Sequence, residues 1–402
     1  MVAELATAVP PGHRRGTPAF VRISLAMGCA GLATFTTLYC VQALLPQLAD
    51  RFQLSPATAS LAVSFGTAGL AIGVIPLTAL SESVGRTPMM TAALFSSAVL
   101  GIVAAVSPTF GVLLVLRALQ GLALAGLQAV AMTYLAEELH RDSLGVGMGL
   151  YIAGNGVGGM AGRLLGSLVS DAAGWRWALA VVGFVALACS VVFRLTVPAS
   201  ARFRPRPLRF GALAGSVARA FTDTGLLRLF AIGVLAMSCM VTIYNYLAFR
   251  LLRAPFHLSP SLVGLIFVVY LAGSAASTMA GRLADRFGRR RTMWPAAVVL
   301  LAGVALLVPD HLAVVVPGLV VFTAGFFAVH ALASAWVGAR SSTLRVQGSA
   351  IYLACYYLGS SVGGSLGGLA YGAGGWPGVT WYVGALAVAV LLGVLSLRSP
   401  AG

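Results

Sequence analysis

The sequence predicts an all-α membrane protein with twelve transmembrane helices in two pseudo-symmetric six-helix bundles and both termini on the cytoplasmic side. Three observations predict it. Of 402 residues, 59% are apolar or aromatic and a further 48 are glycine, while only 9% are charged. That balance has too little polar surface for a soluble protein and too many branched apolar residues for a disordered one. The apolar residues fall in long continuous runs rather than in alternating segments of about ten, which excludes a membrane barrel. Three short segments also recur at a nearly constant spacing, so the chain reads as two copies of one unit.

The elements follow in order. Residues 1–18, with Pro10-Pro11 and His13-Arg14-Arg15, form a cytoplasmic tail, and the apolar run after it is too long for a signal-peptide core, so it is expected to stay as the first helix. Apolar runs at 20–48, 57–80, 89–106, 109–135, 145–169 and 177–197 make the first bundle, residues 19–197. Residues 198–226, rich in arginine and proline, make a cytoplasmic linker. Runs at 227–249, 260–284, 293–308, 312–339, 348–371 and 379–397 make the second bundle, residues 227–397, and 398–402 form a short cytoplasmic tail. At ~20 residues per span, these runs are long enough to cross a bilayer.

The formal charge of +16 comes entirely from arginine on the basic side; there is no lysine. With a cytoplasmic N-terminus, twenty of the 26 basic residues fall on the inner side, among them Arg86, Arg141, the run Arg194 to Arg228, the cluster Arg282 to Arg291, and Arg340, Arg345 and Arg398. This is the positive-inside pattern, not the basic face with interleaved aromatics that a nucleic acid requires. Cys29, Cys40, Cys189, Cys239 and Cys355 lie in apolar runs without paired spacing, so neither a disulfide framework nor a metal site is expected. No cofactor is expected either.

The repeats are specific. Phe52-Gln53-Leu54-Ser55-Pro56 returns as Phe256-His257-Leu258-Ser259-Pro260, 204 residues later. Glu82-Ser83-Val84-Gly85-Arg86 returns as Asp285-Arg286-Phe287-Gly288-Arg289, 203 residues later, and Gly154, Val157, Gly158, Gly159 and Gly162 return as Gly359, Val362, Gly363, Gly364 and Gly367, 205 residues later. Six helices followed by six in the same orientation imply an axis along the membrane normal and a cleft between halves that rock against each other, which is the construction of a transporter.

Gly281-Arg282-Leu283-Ala284-Asp285-Arg286-Phe287-Gly288-Arg289-Arg290-Arg291 resembles the loop signature between helices 8 and 9 of the major facilitator superfamily. Thr78 to Arg86 is similar to its first-half partner, and Arg117-Ala118-Leu119-Gln120-Gly121 to the helix 4 signature. Tyr39 to Gln42, Gly154 to Arg163 and Gly325 to His330 resemble bacterial efflux permeases of the drug:proton antiporter type. The resemblance implies alternating access and a cytoplasmic gate built from Glu82, Gly85, Arg86, Gly281, Asp285, Arg286, Gly288 and Arg289, which would hold an outward-open state.

The remaining candidates come from the residues themselves. Gly154, Gly158 and Gly162, echoed by Gly359, Gly363 and Gly367, are spaced by four along one helix face, as close helix packing requires. The same segments match a dinucleotide fingerprint, Gly154-x-Gly156-x-x-Gly159, and a nucleophile elbow, Gly359-x-Ser361-x-Gly363, but both motifs need a strand-to-helix turn and here sit inside helices. Ionisable groups within the hydrocarbon are expensive and so mark function. Arg117, Arg163 and His330 are the three in the chain, the two arginines at about one depth, and all ten acids fall outside the spans. The arginines are expected to face the cleft, and His330 is the one embedded group that ordinarily titrates near neutrality. Tyr39, Gln42, Gln128, Asn155, Tyr244, Asn245, Tyr356 and Tyr357 complete a polar and aromatic lining.

The expected protein is therefore a secondary transporter, not an enzyme, of the bacterial inner membrane. It would export a small amphiphilic molecule in exchange for protons, as a monomer in the lipid bilayer, with no nucleic-acid partner. Uptake or facilitated diffusion of a metabolite is the alternative, and a membrane sensor of the same fold would need a soluble output domain that the linker does not supply.

Overall fold

The computed structural model describes residues 12–205, 210–341 and 345–397. The expected tail at 398–402, most of the tail at 1–18, and Glu4, Arg206, Arg209 and Arg398 lie outside those residues. The described chain is helical. The first set comprises α1 (Pro18–Phe52), α2 (Pro56–Val84), α3 (Arg86–Ala104), α4 (Phe110–Glu138), α5 (Arg141–Ala173) and α6 (Trp175–Thr196). A short helix within the expected linker, α7 (Phe210–Ala220), leads to the second set. That set is α8 (Thr224–Leu251), α9 (Pro260–Ile266), a 3₁₀ turn (Phe267–Val269), α10 (Tyr270–Phe287), α11 (Arg289–Leu306), α12 (Leu312–Arg340), α13 (Arg345–Leu358), a π-helical turn (Gly359–Gly363) and α14 (Gly364–Leu395).

Among the described residues, nine helical segments are long and apolar enough to cross a membrane. In a bilayer a helix satisfies every backbone donor and acceptor within one segment, so the apolar sequence has little alternative. The last of the nine, Gln347–Leu395, has 49 residues. It is interrupted at Gly374 and Gly375, whose backbones are non-helical, with Pro377 just beyond. α5 and α11 fall outside the nine because glycines dilute one and an arginine run opens the other.

Each sequence repeat has a structural cause. Gln53 and His257 both take the left-handed conformation, at φ 52° and 48°. Ser55 and Ser259 then cap α2 and α9, accepting from Thr58 N at 3.1 Å and Leu262 N at 3.3 Å, with Pro56 and Pro260 at the first helical position. Gly85 and Gly288 join α2 to α3 and α10 to α11 at φ 107° and 87°, a region that glycine enters without a Cβ penalty. The glycine stripes bring backbones together. A Cβ at Gly158 would lie 2.5 Å from the Leu32 carbonyl oxygen, and one at Gly359 would strike the Val234 backbone. Gly154 and Gly162 meet Gly28 and Thr36, while Gly363 and Gly367 meet Ser238 and Thr242, so α5 lies on α1 as the π turn and α14 lie on α8. Thr36 Oγ1 donates to Gly158 O and Thr242 Oγ1 to Gly363 O, each at 3.1 Å, which repeats the same cross-helix bond in both sets.

The two sets meet along α1, α2 and α5 on one side and α8 to α10 and α13 to α14 on the other. The bonds between them cluster toward one end. Asp171, at the end of α5, accepts from Ser261 Oγ and N at 2.5 and 3.3 Å at the start of α9. Tyr246 donates to Ser60 Oγ at 3.0 Å, and Ser365 donates to Ser64 Oγ at 3.0 Å. At the other end, which carries Arg86 and Arg340, Asp285, Arg286 and Arg289 are exposed. The sets are thus bonded at one end, while the loop residues of the second set at the basic end face solvent.

Candidate functional site

Arg163 sits where the two sets meet. It is 2% exposed, its Nε donates to Gln42 Oε1 at 2.7 Å, and its Nη1 donates to Gly159 O at 2.5 Å. Gln42 Nε2 in turn donates to Asn245 Oδ1 at 2.8 Å, so one carboxamide connects an arginine of the first set to an asparagine of the second. Four aromatic rings surround the guanidinium carbon, with centroids at 4.5 Å (Tyr270), 4.7 Å (Tyr39), 5.4 Å (Phe267) and 5.9 Å (Tyr244). Rings at these distances stabilise a desolvated cation by about 2 kcal/mol or more. Local structure positions each group. The glycines of α5 let it approach α1, which brings Arg163 beside Tyr39 and Gln42, and the 3₁₀ turn between α9 and α10 points Phe267 and Tyr270 at the same place.

From this cage a series of ring contacts runs into the second set. Tyr244 packs on Tyr270 at 5.1 Å, Tyr270 on Phe327 at 5.7 Å, and Phe327 on Phe326 at 5.3 Å. Phe326 stacks on His330 at 6.0 Å, which packs on Tyr356 at 4.5 Å, and Tyr356 meets Tyr357 edge-on at 5.1 Å. His330 Nδ1 lies 3.0 Å from the Tyr352 hydroxyl, and the Tyr244 hydroxyl lies 2.7 Å from Thr323 Oγ1.

Of the expected lining, the structure brings Tyr39, Gln42, Arg163, Tyr244 and Asn245 to one place and His330, Tyr356 and Tyr357 to a second place along the ring series. Gln128 and Asn155 are elsewhere, Gln128 buried in α4 and Asn155 against Gly31 of α1. Arg117 does not share the junction, although sequence depth paired it with Arg163. Its Nε donates to Ala62 O at 3.1 Å and its Nη1 to Thr37 O at 2.9 Å, with further bonds to Leu38 O and Gln120 Oε1. All four partners belong to the first set. Phe267, Tyr270, Phe326, Phe327 and Tyr352, and Ser360 beside Tyr39, carry no mark in the sequence that singles them out, although Phe326 and Phe327 lie in the segment Gly325 to His330 that carried the narrower resemblance.

The loop residues expected to gate the basic end are apart. Arg86 is buried within the first set, where it pairs with Glu137 at 3.1 Å, donates to Ser81 Oγ at 2.6 Å and lies 5.6 Å from the Phe203 ring. Among the described residues neither Glu82, Asp285 nor Arg286 takes part in an ion pair. In the second set Arg340 pairs instead with Asp223 at 2.8 Å, ahead of α8. Burial tends to raise the Asp223 carboxyl, but the Arg340 guanidinium and the N–H groups of Leu226 and Gly225 outweigh it and hold the group below its ordinary value. No cluster of three or more His, Cys, Asp or Glu side chains with metal-binding geometry occurs among the described residues.

The sequence profile of the Major Facilitator Superfamily matches residues 27–253 and again 229–402, once for each set. The chain belongs to that superfamily. It is similar to the inner membrane transport protein YnfM of Escherichia coli K12, 42% identical over 379 residues that cover 94% of this chain and 91% of the relative. It is also similar to the uncharacterized MFS-type transporter YybF of Bacillus subtilis 168, 40% identical over 366 residues, 91% of each chain. The crystal structure of a bacterial homolog of the human lysosomal transporter Spinster shares the fold at 16% identity, with a TM-score of 0.77 over 96% of this chain and 100% of that one. As a superfamily member the chain is a multi-pass transporter of the bacterial inner membrane.

Proposed function

We propose that this transporter moves a small amphiphilic molecule by alternating access, with twelve spans, a cytoplasmic basic end and the substrate docked at Arg163. The observation that carries the reading is the Arg163 cage, since it takes Tyr39, Gln42 and Arg163 from one half and Tyr244, Asn245, Phe267 and Tyr270 from the other. A ligand held by both halves favours the arrangement in which they close on it. The cross-half bonds of Asp171, Ser60 and Ser64 close the outer side, and the cleft opens inward past Asp285 and Arg286. When the halves rock the other way, the loop residues Glu82, Asp285 and Arg286 come within reach and latch the inner side.

The direction is outward and the exchanged ion is the proton, as in the efflux permeases that segments Tyr39 to Gln42 and Gly325 to His330 resemble. His330, joined to the Arg163 cage by ring contacts, is the proton-carrying group, and the monomer is the working unit. Reconstitution of the purified chain in liposomes with an imposed pH gradient tests this. Substrate movement that collapses the gradient, and that loses its coupling in His330→Gln, is the expected result. Movement indifferent to the gradient discards the proton and favours facilitated diffusion, while the absence of movement for anionic, neutral and cationic amphiphiles alike discards transport at this site.

A further inference from the structure

We infer that the Arg163 site takes a monovalent organic anion, its oxyanion head on the arginine and its apolar body among the rings. The inference rests on the transport reading for the place of the substrate, and on charge and donor accounting for its class.

Arg163 carries a full charge at a buried point where no carboxylate stands. The described acids, Asp50, Glu82, Glu137, Glu138, Asp142, Asp171, Asp223, Asp285 and Asp310, all lie at or near helix ends. Rings and carbonyls partly replace the lost hydration but add no negative charge. The guanidinium also keeps donors in hand. Nε donates to Gln42, Nη1 to Gly159 O, and the guanidinium also bonds the Tyr270 hydroxyl, which accounts for three of its five N–H donors. Asn245 has its oxygen occupied by Gln42, and its Nδ2 is buried without a partner. The hydroxyls of Tyr39 and Ser360 lie close enough to pair with each other, with no other partner for either. Gly364 leaves the space beside the Asn245 amide, since a Cβ there would lie 3.2 Å from Nδ2.

The unmet groups are thus a cation without a counter-charge from one half and an amide donor from the other, beside a Tyr39–Ser360 hydroxyl pair. Buried donors left unpaired are each unfavourable by about 1–3 kcal/mol. A carboxylate or sulfonate supplies several acceptor positions and one negative charge, which balances Arg163 and satisfies the donors together. A cation would add repulsion, a neutral head would leave the charge uncompensated, and a dianion would invert the sign.

The test uses the purified full-length protein and three probes of similar size: benzenesulfonate, benzenesulfonamide and benzyltrimethylammonium. Calorimetry is expected to give benzenesulfonate at least a tenfold lower Kd than the neutral probe and no binding of the cation. Arg163→Gln abolishes the tenfold preference, Arg163→Lys keeps part of it, and Asn245→Leu, which leaves the arginine in place, weakens benzenesulfonate while sparing the neutral probe. Equal affinities, a preference for the cation, or an unchanged preference in Arg163→Gln overturns the anion site. Counterflow in liposomes separates the two readings. Benzenesulfonate that binds but never exchanges leaves the anion site standing and removes transport through it, whereas movement of the neutral or cationic probe without benzenesulfonate binding does the reverse.

Discussion

Gln42 donates to Asn245 across the junction of the two helix sets at 2.8 Å while accepting from Arg163 at 2.7 Å, so a single carboxamide holds both sides of the candidate site. Gln42→Ala leaves the Arg163 Nε and the Asn245 oxygen without partners in a buried place. Stability is expected to fall by roughly 1–3 kcal/mol, measured by denaturant titration in detergent micelles. The loss should be accompanied by faster maleimide labelling of a cysteine placed at Ser64, since the bridge helps hold that end closed. Full stability with unchanged labelling would show that the bridge holds nothing together.

Gln42→Glu puts a carboxylate where the structure has a neutral acceptor. At 2.7 Å from Arg163 Nε it forms a buried ion pair, and it competes with any external anion for the same guanidinium. The variant is expected to fold and to lose benzenesulfonate binding by at least tenfold, a result that calorimetry reads directly.

Arg117 and Arg163 are equally buried, at 1% and 2% exposure, and differ in what they hold. Arg117 clamps α4 to α1 and α2 through the carbonyls of Thr37, Leu38 and Ala62. Removal of its guanidinium orphans carbonyls on two helices and leaves Gln120 half-satisfied. Arg117→Gln is therefore expected to reduce the yield of monodisperse protein severalfold on size exclusion, whereas Arg163→Gln keeps its yield and changes ligand preference.

That contrast marks how far the sequence could be read. Hydropathy and the repeat spacing disclose the helices and the glycine contacts because each depends on periodicity along one chain. Depth in the bilayer follows from counting residues, and it correctly sets Arg117 and Arg163 apart from solvent. The direction in which each points around its helix axis depends on which neighbour packs there. Thus the Ala62 carbonyl could not be foreseen for Arg117, nor Phe267 and Tyr270 for Arg163. The latter come from an α9 to α10 segment whose 3₁₀ turn has no sequence marker. The gate expected from Asp285 and Arg286 forms no ion pair among the described residues.

Close helix contact makes a separate prediction. A Cβ at Gly158 would lie 2.5 Å from the Leu32 carbonyl oxygen, a backbone atom that cannot step aside. Gly158→Ala forces α5 away from α1 and is expected to destabilise by about 1–3 kcal/mol. Gly149→Ala, in the same helix with open space around it, serves as the control and should be neutral or slightly stabilising, as alanine is the better helix former. Thermal unfolding of the two variants side by side checks the difference, and equal midpoints would refute the packing role.

The Asp223–Arg340 pair sets the acid limit of the second helix set. Asp223 caps α8 through Gly225 N at 2.7 Å and Leu226 N at 3.0 Å while receiving Arg340 Nε at 2.8 Å. These contacts favour the charged form against the effect of burial, so the folded-state pKa lies below the unfolded one. A group depressed in this way contributes stability above its unfolded pKa of about 3.9 and loses it as pH falls through the lower folded value. Thermal midpoints are therefore expected to hold from pH 7 to about 5 for this pair and to decline below about 4. Asp223→Asn keeps an acceptor for the cap but removes the charge, so it should lower stability at pH 7 and reduce the decline below pH 4. An unaltered acid decline in that variant would assign it to other carboxylates.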